Sequence, residues 1–167
     1  ANYVRLNGSD NYTRTTPGGI QLQGDLTLKK RVEVRNINPG LVTRVKIGEV
    51  NGAQAYDARF TGQIDVLEPD YQALMLTADA GGSAIFDGPI RIVGGTYGFD
   101  KIGAGTVAVN NRVSQSVTDT NPIGTVNVQE GTLLVNSPLA DAFYTTGIVV
   151  DDGAALGRQH RGLAGDT

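Results

Sequence analysis

Carboxylates beside turn glycines are the side chains of this sequence whose types could support a reaction. Enzymes that cleave glycans place two carboxyl groups beside the scissile bond, one as an acid and the other as a base or nucleophile. Aspartate is also favoured in turns, because its side chain hydrogen-bonds nearby backbone groups. We favour this second explanation, so the sequence predicts no catalytic residue and no enzyme activity. The candidates for the enzymatic alternative are Asp65, Asp87, Asp100, Asp151 and Asp152.

The sequence contains few residues that could support other types of reaction. The chain has no cysteine and a single histidine, His160, which excludes a cysteine nucleophile and argues against a histidine-rich metal site. Phosphate-binding and dinucleotide-binding glycine motifs, a Gly-x-Ser-x-Gly elbow and the glycine-aspartate repeat of calcium-binding coils are also absent. The sequence therefore predicts no cofactor and no bound metal, with His160 exposed in an irregular tail.

A strand pattern recurs in the second half of the chain. Three Gly-Thr pairs are each followed by apolar residues at alternate positions, which places one face of a short strand inward. Recurrence of such a unit about every 20 residues is typical of a solenoid, in which each coil buries its apolar face only against its neighbours. The alternating residues are Val107 and Val109, Val126 and Val128, and Leu133 and Val135.

The residues around these strands resemble a known repeat. The segment Lys101-x-Gly-Ala-Gly-Thr-Val-x-Val109, followed by Gly131-Thr-Leu-x-Val135, is similar to the autotransporter-associated β-strand repeat of bacterial secreted passenger domains. The resemblance covers roughly Ser83 to Gly157. It implies a right-handed parallel β-helix that is secreted or exposed on a bacterial surface, and it implies no particular chemistry. The signature residues are Lys101, Gly103, Ala104, Gly105, Thr106, Gly131 and Thr132.

The predicted fold is all-β, a right-handed parallel β-helix with a less regular N-terminal β section. Residues 1–18 are predicted to form an N-terminal cap or arm, residues 19–157 the β-solenoid, and residues 158–167 an irregular tail. Residues 83–157 match the repeat best. Between Ile20 and Leu67 the strand periodicity continues without the signature, which leaves open a small β-sandwich or an irregular set of coils. Phe86 and Phe99 are expected to stack inside the helix.

Composition supports many short strands joined by turns. Glycine and proline contribute 23 and 6 of the 167 residues, and the hydrophobic fraction of 40% is too high for a disordered chain. No apolar run approaches the roughly 20 residues of a membrane helix, so we expect no membrane insertion by this chain. The basic triplet 29–31 lacks interleaved aromatic residues, so we expect no nucleic-acid partner.

Charge is distributed unevenly along the sequence. Residues 1–59 carry nine basic and five acidic groups, whereas residues 60–157 carry three basic and eleven acidic groups. Since sequence order is spatial order in a solenoid, one end should be positive and the other negative, which would steer copies into a head-to-tail stack. The candidate self-association residues are Lys29, Lys30 and Arg31 at the basic end, and Asp151 and Asp152 at the acidic end.

Three functions follow from these patterns. The first is a non-enzymatic extracellular structural protein that assembles with itself into a surface or biofilm-matrix fibre. The second is a segment of an autotransporter passenger that acts as an adhesin, with loops that bind cell-surface glycans or proteins. Phe143 and Tyr144, in the loop 137–146, either pack onto the coil or meet such a partner. The third is a carbohydrate-active β-helix enzyme.

Overall fold

Short strands follow one another around a coil and pair with the strands of the coils above and below. The computed structural model describes residues 3–8, 18–36, 43–50, 54–67, 72–93, 97–116, 121–136 and 143–158. In these ranges the strands are β1 (Tyr3–Gly8), β2 (Gly18–Leu22), β3 (Thr27–Leu28), β4 (Arg31–Asn36), β5 (Thr43–Glu49), β6 (Asp57–Phe60), β7 (Ile64–Leu67), β8 (Gln72–Thr77), β9 (Ser83–Phe86), β10 (Ile90–Ile92), β11 (Tyr97–Ile102), β12 (Thr106–Val109), β13 (Val113–Ser114), β14 (Thr125–Val128), β15 (Thr132–Val135), β16 (Ile148–Val150) and β17 (Ala155–Gly157).

The strands form three parallel sheets. The first sheet contains β1, β4, β7, β10 and β13; the second contains β2, β5, β8, β11, β14 and β16; the third contains β3, β6, β9, β12, β15 and β17. Each coil adds one strand to each sheet until the last described coil, which adds β16 and β17 and meets the first sheet only at the parallel bridge between Val113 and Phe143. The predicted all-β parallel solenoid is therefore confirmed.

The N-terminal half belongs to the same three sheets. Residues 18–22 pair with β5, residues 27–28 pair with β6, and both ladders continue into the second half. The β-sandwich alternative for the stretch from Ile20 to Leu67 is therefore wrong. Of the predicted cap or arm, β1 pairs in parallel with β4, while residues 9–17 lie outside the described residues. Of the predicted tail, only Arg158 is described, so His160 also lies outside them.

Apolar side chains stack along the axis in the interior. Phe60 and Phe86 are partners in the ladder of the third sheet, and their rings lie parallel with centroids 4.8 Å apart. Phe99 meets Phe143 edge-on, with centroids 6.1 Å apart. Burial of Phe86 and Phe99 is confirmed, at 0% and 2% exposure. The ring partner of each phenylalanine is set by the register between coils, which the sequence did not predict.

A side-chain ladder runs along the corner that joins the third sheet to the first. Asp87, Asn110 and Asn136 each follow the last residue of a third-sheet strand. The Nδ2 of Asn110 donates to Oδ1 of Asp87 at 2.8 Å, and the Nδ2 of Asn136 donates to Oδ1 of Asn110 at 3.1 Å. Amides suit this place because an amide both donates and accepts, so that one side chain links the coil before it to the coil after it.

We expect Asn110→Ala to lower the free energy of unfolding by about 1–2 kcal/mol, since it removes two side-chain hydrogen bonds of the ladder. Asn110→Asp should cost more, because it sets a carboxylate against Asp87 in place of a donor. The exposed Gln129, replaced by alanine, serves as the control and should change the free energy by less than about 0.5 kcal/mol. Urea denaturation measures all three; equal effects at Asn110 and Gln129 would contradict a stabilising ladder.

Candidate functional site: the charged outer face of the first sheet

Charged side chains are concentrated on the outer face of the first sheet. In β4, Val32 and Val34 point into the core, so the alternating Arg31, Glu33 and Arg35 point outward. The ladder places Glu33 beside Asp65 of β7, and Asp65 beside Arg91 of β10. We call the three arginines and the two carboxylates between them, residues 31, 33, 35, 65 and 91, the arginine face.

Asp65 is the centre of the arginine face. Its carboxylate accepts a hydrogen bond from Nε of Arg31 on one side and from Nε of Arg91, at 2.5 Å, on the other. The Nε2 of Gln63 donates to the same carboxylate at 2.6 Å. The side chain of Asp65 is 0% exposed, so a buried charge is matched by two guanidinium groups and an amide. Removal of either arginine leaves Asp65 with the other guanidinium group and the Gln63 amide.

Glu33 holds the other two contacts of the face. Its Oε1 lies 3.3 Å from Nη2 of Arg31, and its Oε2 lies 3.6 Å from Nε of Arg35. The second distance is too long for a hydrogen bond, and Nε of Arg35 is a buried donor without a hydrogen-bond partner among the described residues. Arg35 is therefore the least tightly held of the three arginines.

The two signs of charge lie at different depths. The side chains of Glu33 and Asp65 are 7% and 0% exposed, whereas those of Arg31, Arg35 and Arg91 are 41%, 41% and 27% exposed. The carboxylates thus hold the guanidinium groups from below, and at this face solvent meets mainly arginine side chains. Such a face can bind an anion, while Asp65 is shielded from any bond that it would have to protonate or attack.

The carboxylates of the predicted enzymatic alternative do not share a face. Asp65 lies on the outside of the first sheet, Asp100 lies on the outside of the second, and Asp87 lies at the corner between the third sheet and the first. Asp87 pairs with Arg59 at 2.5 Å, and Asp100 accepts a hydrogen bond from Asn127 at 2.8 Å. The exposed turn of Asp151 and Asp152 lies in the last described coil. The pair of carboxylates that glycan cleavage requires is not formed by these residues.

Lys101 of the repeat signature lies in the interior. It occupies a core position of β11 between Leu76 and Val128, two residues after the buried Phe99, and it is 0% exposed. Its Nζ donates to the carbonyl oxygens of Ile102, at 3.2 Å, and of Gly103, both in its own coil. It also donates to the carbonyl oxygen of Glu130 in the next coil, at 2.7 Å. Three acceptors match the three donors of an ammonium group.

The remaining signature residues form the corner that Lys101 fills. Gly103 and Gly131 have φ values of 78° and 62°, in the left-handed region where a side chain is unfavourable. A Cβ on Gly105 would lie 2.6 Å from the carbonyl oxygen of Gly82 in the preceding coil. Thr106 and Thr132 are partners in the third-sheet ladder, and Ala104 is exposed. The signature is therefore explained by close stacking of glycine corners around one lysine.

Burial lowers the pKa of Lys101 to about 8 from its ordinary 10.5, although the carboxylate of Glu130 acts in the opposite direction. The ammonium form is still the main one at neutral pH. The three carbonyl acceptors favour that form, because a neutral amine has only two hydrogens to donate. Lys101 therefore contributes as a charged cross-link between two coils at pH 7, at some cost in desolvation.

Glu49 is another buried ionisable side chain, and the sequence analysis did not predict it. It is 0% exposed, and its Oε2 accepts a hydrogen bond from the backbone N–H of Asp79 at 2.9 Å. Burial raises the pKa of Glu49; the Asp79 N–H opposes this rise, and the carboxylates of Asp79 and Asp57 add to it. Its Oε1 has no hydrogen-bond partner among the described residues. The preceding Ile47 is buried and two positions away, so the alternation itself indicated an inward side chain.

The predicted self-association residues lie at different corners of the coil. Lys29 and Lys30 join the third sheet to the first, directly before Arg31 of β4, whereas Asp151 and Asp152 join the second sheet to the third. In-register stacking of the first coil on the last would therefore bring the Asp151-Asp152 turn over Asp25, which precedes β3. Carboxylates would face a carboxylate, so the predicted pairing of opposite charges is not available in such a stack.

The predicted partner loop divides into two environments. Phe143 is half-buried and packs against Phe99 of the core, so it follows the packing alternative. The ring of Tyr144 lies 5.5 Å from Cζ of Arg112, in a cation–π contact. Residues 137–142 of the loop lie outside the described residues.

Comparison with known proteins identifies no relative: no family model, no curated protein and no solved structure matches the chain. The resemblance to the autotransporter-associated repeat therefore stays a prediction. Within the described ranges, no helix is long and apolar enough to cross a bilayer. The same residues contain no group of three or more histidine, cysteine, aspartate or glutamate side chains that could hold a metal ion.

Proposed function

We propose that this chain is a non-enzymatic structural β-solenoid that extends by stacking copies head to tail. The main support for this proposal is that interior side chains of the last described coil are exposed. Val150 and Leu156 continue the ladders of Val128 and Leu133, which are 0% exposed, yet they are themselves 41% and 45% exposed. Burial of these side chains under another coil would be favourable.

The opposite end offers a matching surface. Ile20 continues the interior row of Ile47, and Leu28 continues the row of Phe60; both are only partly buried, while their partners are 0% and 1% exposed. All described pairings run parallel, so the first coil of one copy can continue the sheets of another in the same direction. A contact between two different surfaces does not close on itself, and it produces a filament. The repeat resemblance supports a location outside a bacterial cell.

Apolar burial and strand pairing, not charge, would drive this contact. Because an in-register stack sets Asp25 against Asp151 and Asp152, we expect association to strengthen as salt screens these carboxylates. Sedimentation velocity of the chain at neutral pH, in low and in high salt, should show a series of growing species. Negative-stain images should show filaments one solenoid wide.

Two variants in the same strand test the geometry. Val150→Asp places a charge on the interior side of the exposed end and should abolish assembly. Val149→Asp is the matched control, since Val149 is 50% exposed on the outer side of β16 and should assemble like the unchanged chain. Because both side chains are already exposed, circular dichroism should show the same fold for both. Monomers under every salt condition, or equal loss in both variants, would overturn the proposal.

A further inference from the structure

We infer that the arginine face binds a linear polyanionic polysaccharide, one that carries carboxylate or sulfate groups along its chain. The face does not depend on the ends of the solenoid, so this inference is independent of head-to-tail assembly. It lies on the side of the coil, across β4, β7 and β10 of the first sheet. A ligand laid along the axis would therefore cross several coils, at about 4.8 Å per coil.

The guanidinium donors of the arginine face are held in place before a ligand binds. Arg31 and Arg91 are both anchored through Nε to the single carboxylate of Asp65, and Nη2 of Arg31 also lies 3.3 Å from Glu33. Among the described residues, Nη1 of Arg31 and both terminal nitrogen atoms of Arg91 make no side-chain contact. Arg91 uses no other side-chain donor in the contacts of the described residues. A guanidinium group held in this way loses little conformational freedom when it forms a forked pair with an incoming carboxylate or sulfate.

The arginines of this face are more exposed than its carboxylates, which favours a negatively charged ligand. The arginine face has three arginines and two carboxylates, a formal charge of only +1, but the side chains of its carboxylates are 0–7% exposed and those of its arginines are 27–41% exposed. A ligand at the surface therefore meets cations, with the carboxylates screened beneath them. The chain as a whole is negative, at −3, so attraction must be local to this face and should weaken quickly with salt.

The neighbouring outward positions favour a glycan over a nucleic acid. In β4, β7, β10 and β13, the outward side chains that the structure describes are charged, polar or aliphatic, and none is aromatic. Single-stranded nucleic acids are bound by aromatic side chains on which the bases stack, together with basic groups. A glycan with regularly spaced acidic groups needs only the donors of the arginine face.

Direct binding measurements test the inference. We would titrate the complete chain with heparin, with polygalacturonate and with an oligothymidylate of matched charge, by calorimetry at several salt concentrations. Binding of at least one polysaccharide, more tightly than the oligothymidylate, is expected; the two polysaccharides distinguish sulfate from carboxylate. No binding to either at low salt, or tighter binding of the oligothymidylate, would overturn the inference.

Variants locate the site. Arg35→Gln should weaken polysaccharide binding about tenfold, as expected for one charge-assisted contact, and lower the salt dependence by about one released ion. This residue is chosen because its contact with Glu33, at 3.6 Å, contributes little to the fold. Arg91→Gln should weaken binding at least as much, and Asp65 keeps Arg31 as a partner.

Arg59→Gln is the matched control: its side chain is 46% exposed and paired with Asp87, but it lies on the third sheet. Equal weakening by Arg59→Gln would show that general charge, not the arginine face, binds the ligand.

Discussion

Replacing Gly131 with alanine should lower the free energy of unfolding by about 3 kcal/mol, which for a chain of this size lowers the melting temperature by about 6–12 °C. Two costs add at this corner. Its φ of 62° lies in the left-handed region, which costs a non-glycine residue about 1–2 kcal/mol. In addition, the new Cβ would lie 2.6 Å from the carbonyl oxygen of Gly103 and 2.7 Å from the carbonyl carbon of Ala104, so the two corners must move apart.

A substitution at Gly153 allows the backbone cost to be measured without the steric cost. It occupies the same corner in the next coil with a φ of 81°, but a Cβ there would meet no heavy atom within 4 Å. Gly153→Ala should therefore cost only the backbone term, about 1–2 kcal/mol. Urea denaturation of both variants gives the difference directly. Equal losses in the two variants would mean that the coils are not stacked as tightly at Gly131 as the geometry requires.

Lys101→Met should destabilise the fold by an amount that grows with pH. The methionine fills the space but leaves the carbonyl oxygens of Ile102, Gly103 and Glu130 without the Nζ donor, at about 1–3 kcal/mol for each group. At pH 7 this loss is partly offset, because the variant no longer buries a charge. We therefore expect a net cost of about 1–2 kcal/mol at pH 7.

The sign of the pH effect follows from the lowered pKa of Lys101, about 8 in the folded chain against 10.5 when unfolded. Between these values the unfolded chain binds the proton and the folded chain releases it, so the lysine contributes increasing stability as pH rises. From pH 7 to pH 10 the difference between the unchanged chain and Lys101→Met should grow by about 2–3 kcal/mol.

A control and a direct titration complete this test. Lys46→Met, which removes a lysine from the outer face of the second sheet, is the control for the loss of a lysine elsewhere. The carbon-13 chemical shift of the Lys101 Cε should titrate near pH 8. A cost of Lys101→Met that is the same at pH 7 and pH 10 would contradict burial of the ammonium group.

The alternation of apolar residues shows which side chains point inward regardless of loop length, and together with the recurring Gly-Thr units it predicted the parallel solenoid in the second half. Between Ile20 and Leu67, where those units are absent, the alternation alone left a β-sandwich open. The alternation also contained the arginine face, since Arg31, Glu33 and Arg35 alternate with buried valines, but the basic triplet 29–31 was considered only for nucleic-acid binding and self-association. Lys101 stands two residues after Phe99, so the same rule placed it inside. Its burial was not predicted because lysine is a charged residue, although the periodicity indicated an interior position.

Neighbours across coils could not be predicted, because the number of residues per coil varies. The register joins Val32 to Ile64, Ile64 to Ile90 and Ile90 to Val113, so successive coils differ in length. The stacking of Phe60 on Phe86 depends on one of these lengths. The corners at which Lys29 and Asp151 lie depend on all of them, so an in-register stack of copies would not bring these opposite charges together.

The ladder of parallel strands also determines how the molecule would respond to tension. Each described strand is hydrogen-bonded only to strands of the coils before and after it. A force applied at the two termini would therefore unfold the outermost coil first, and each rupture would lengthen the chain by the residues of one coil. Contacts that tie one winding to another, such as those of Asp65 and Lys101, would resist longest. A single molecule held in an optical trap should therefore lengthen in unequal steps, with the largest forces in the middle of the trace.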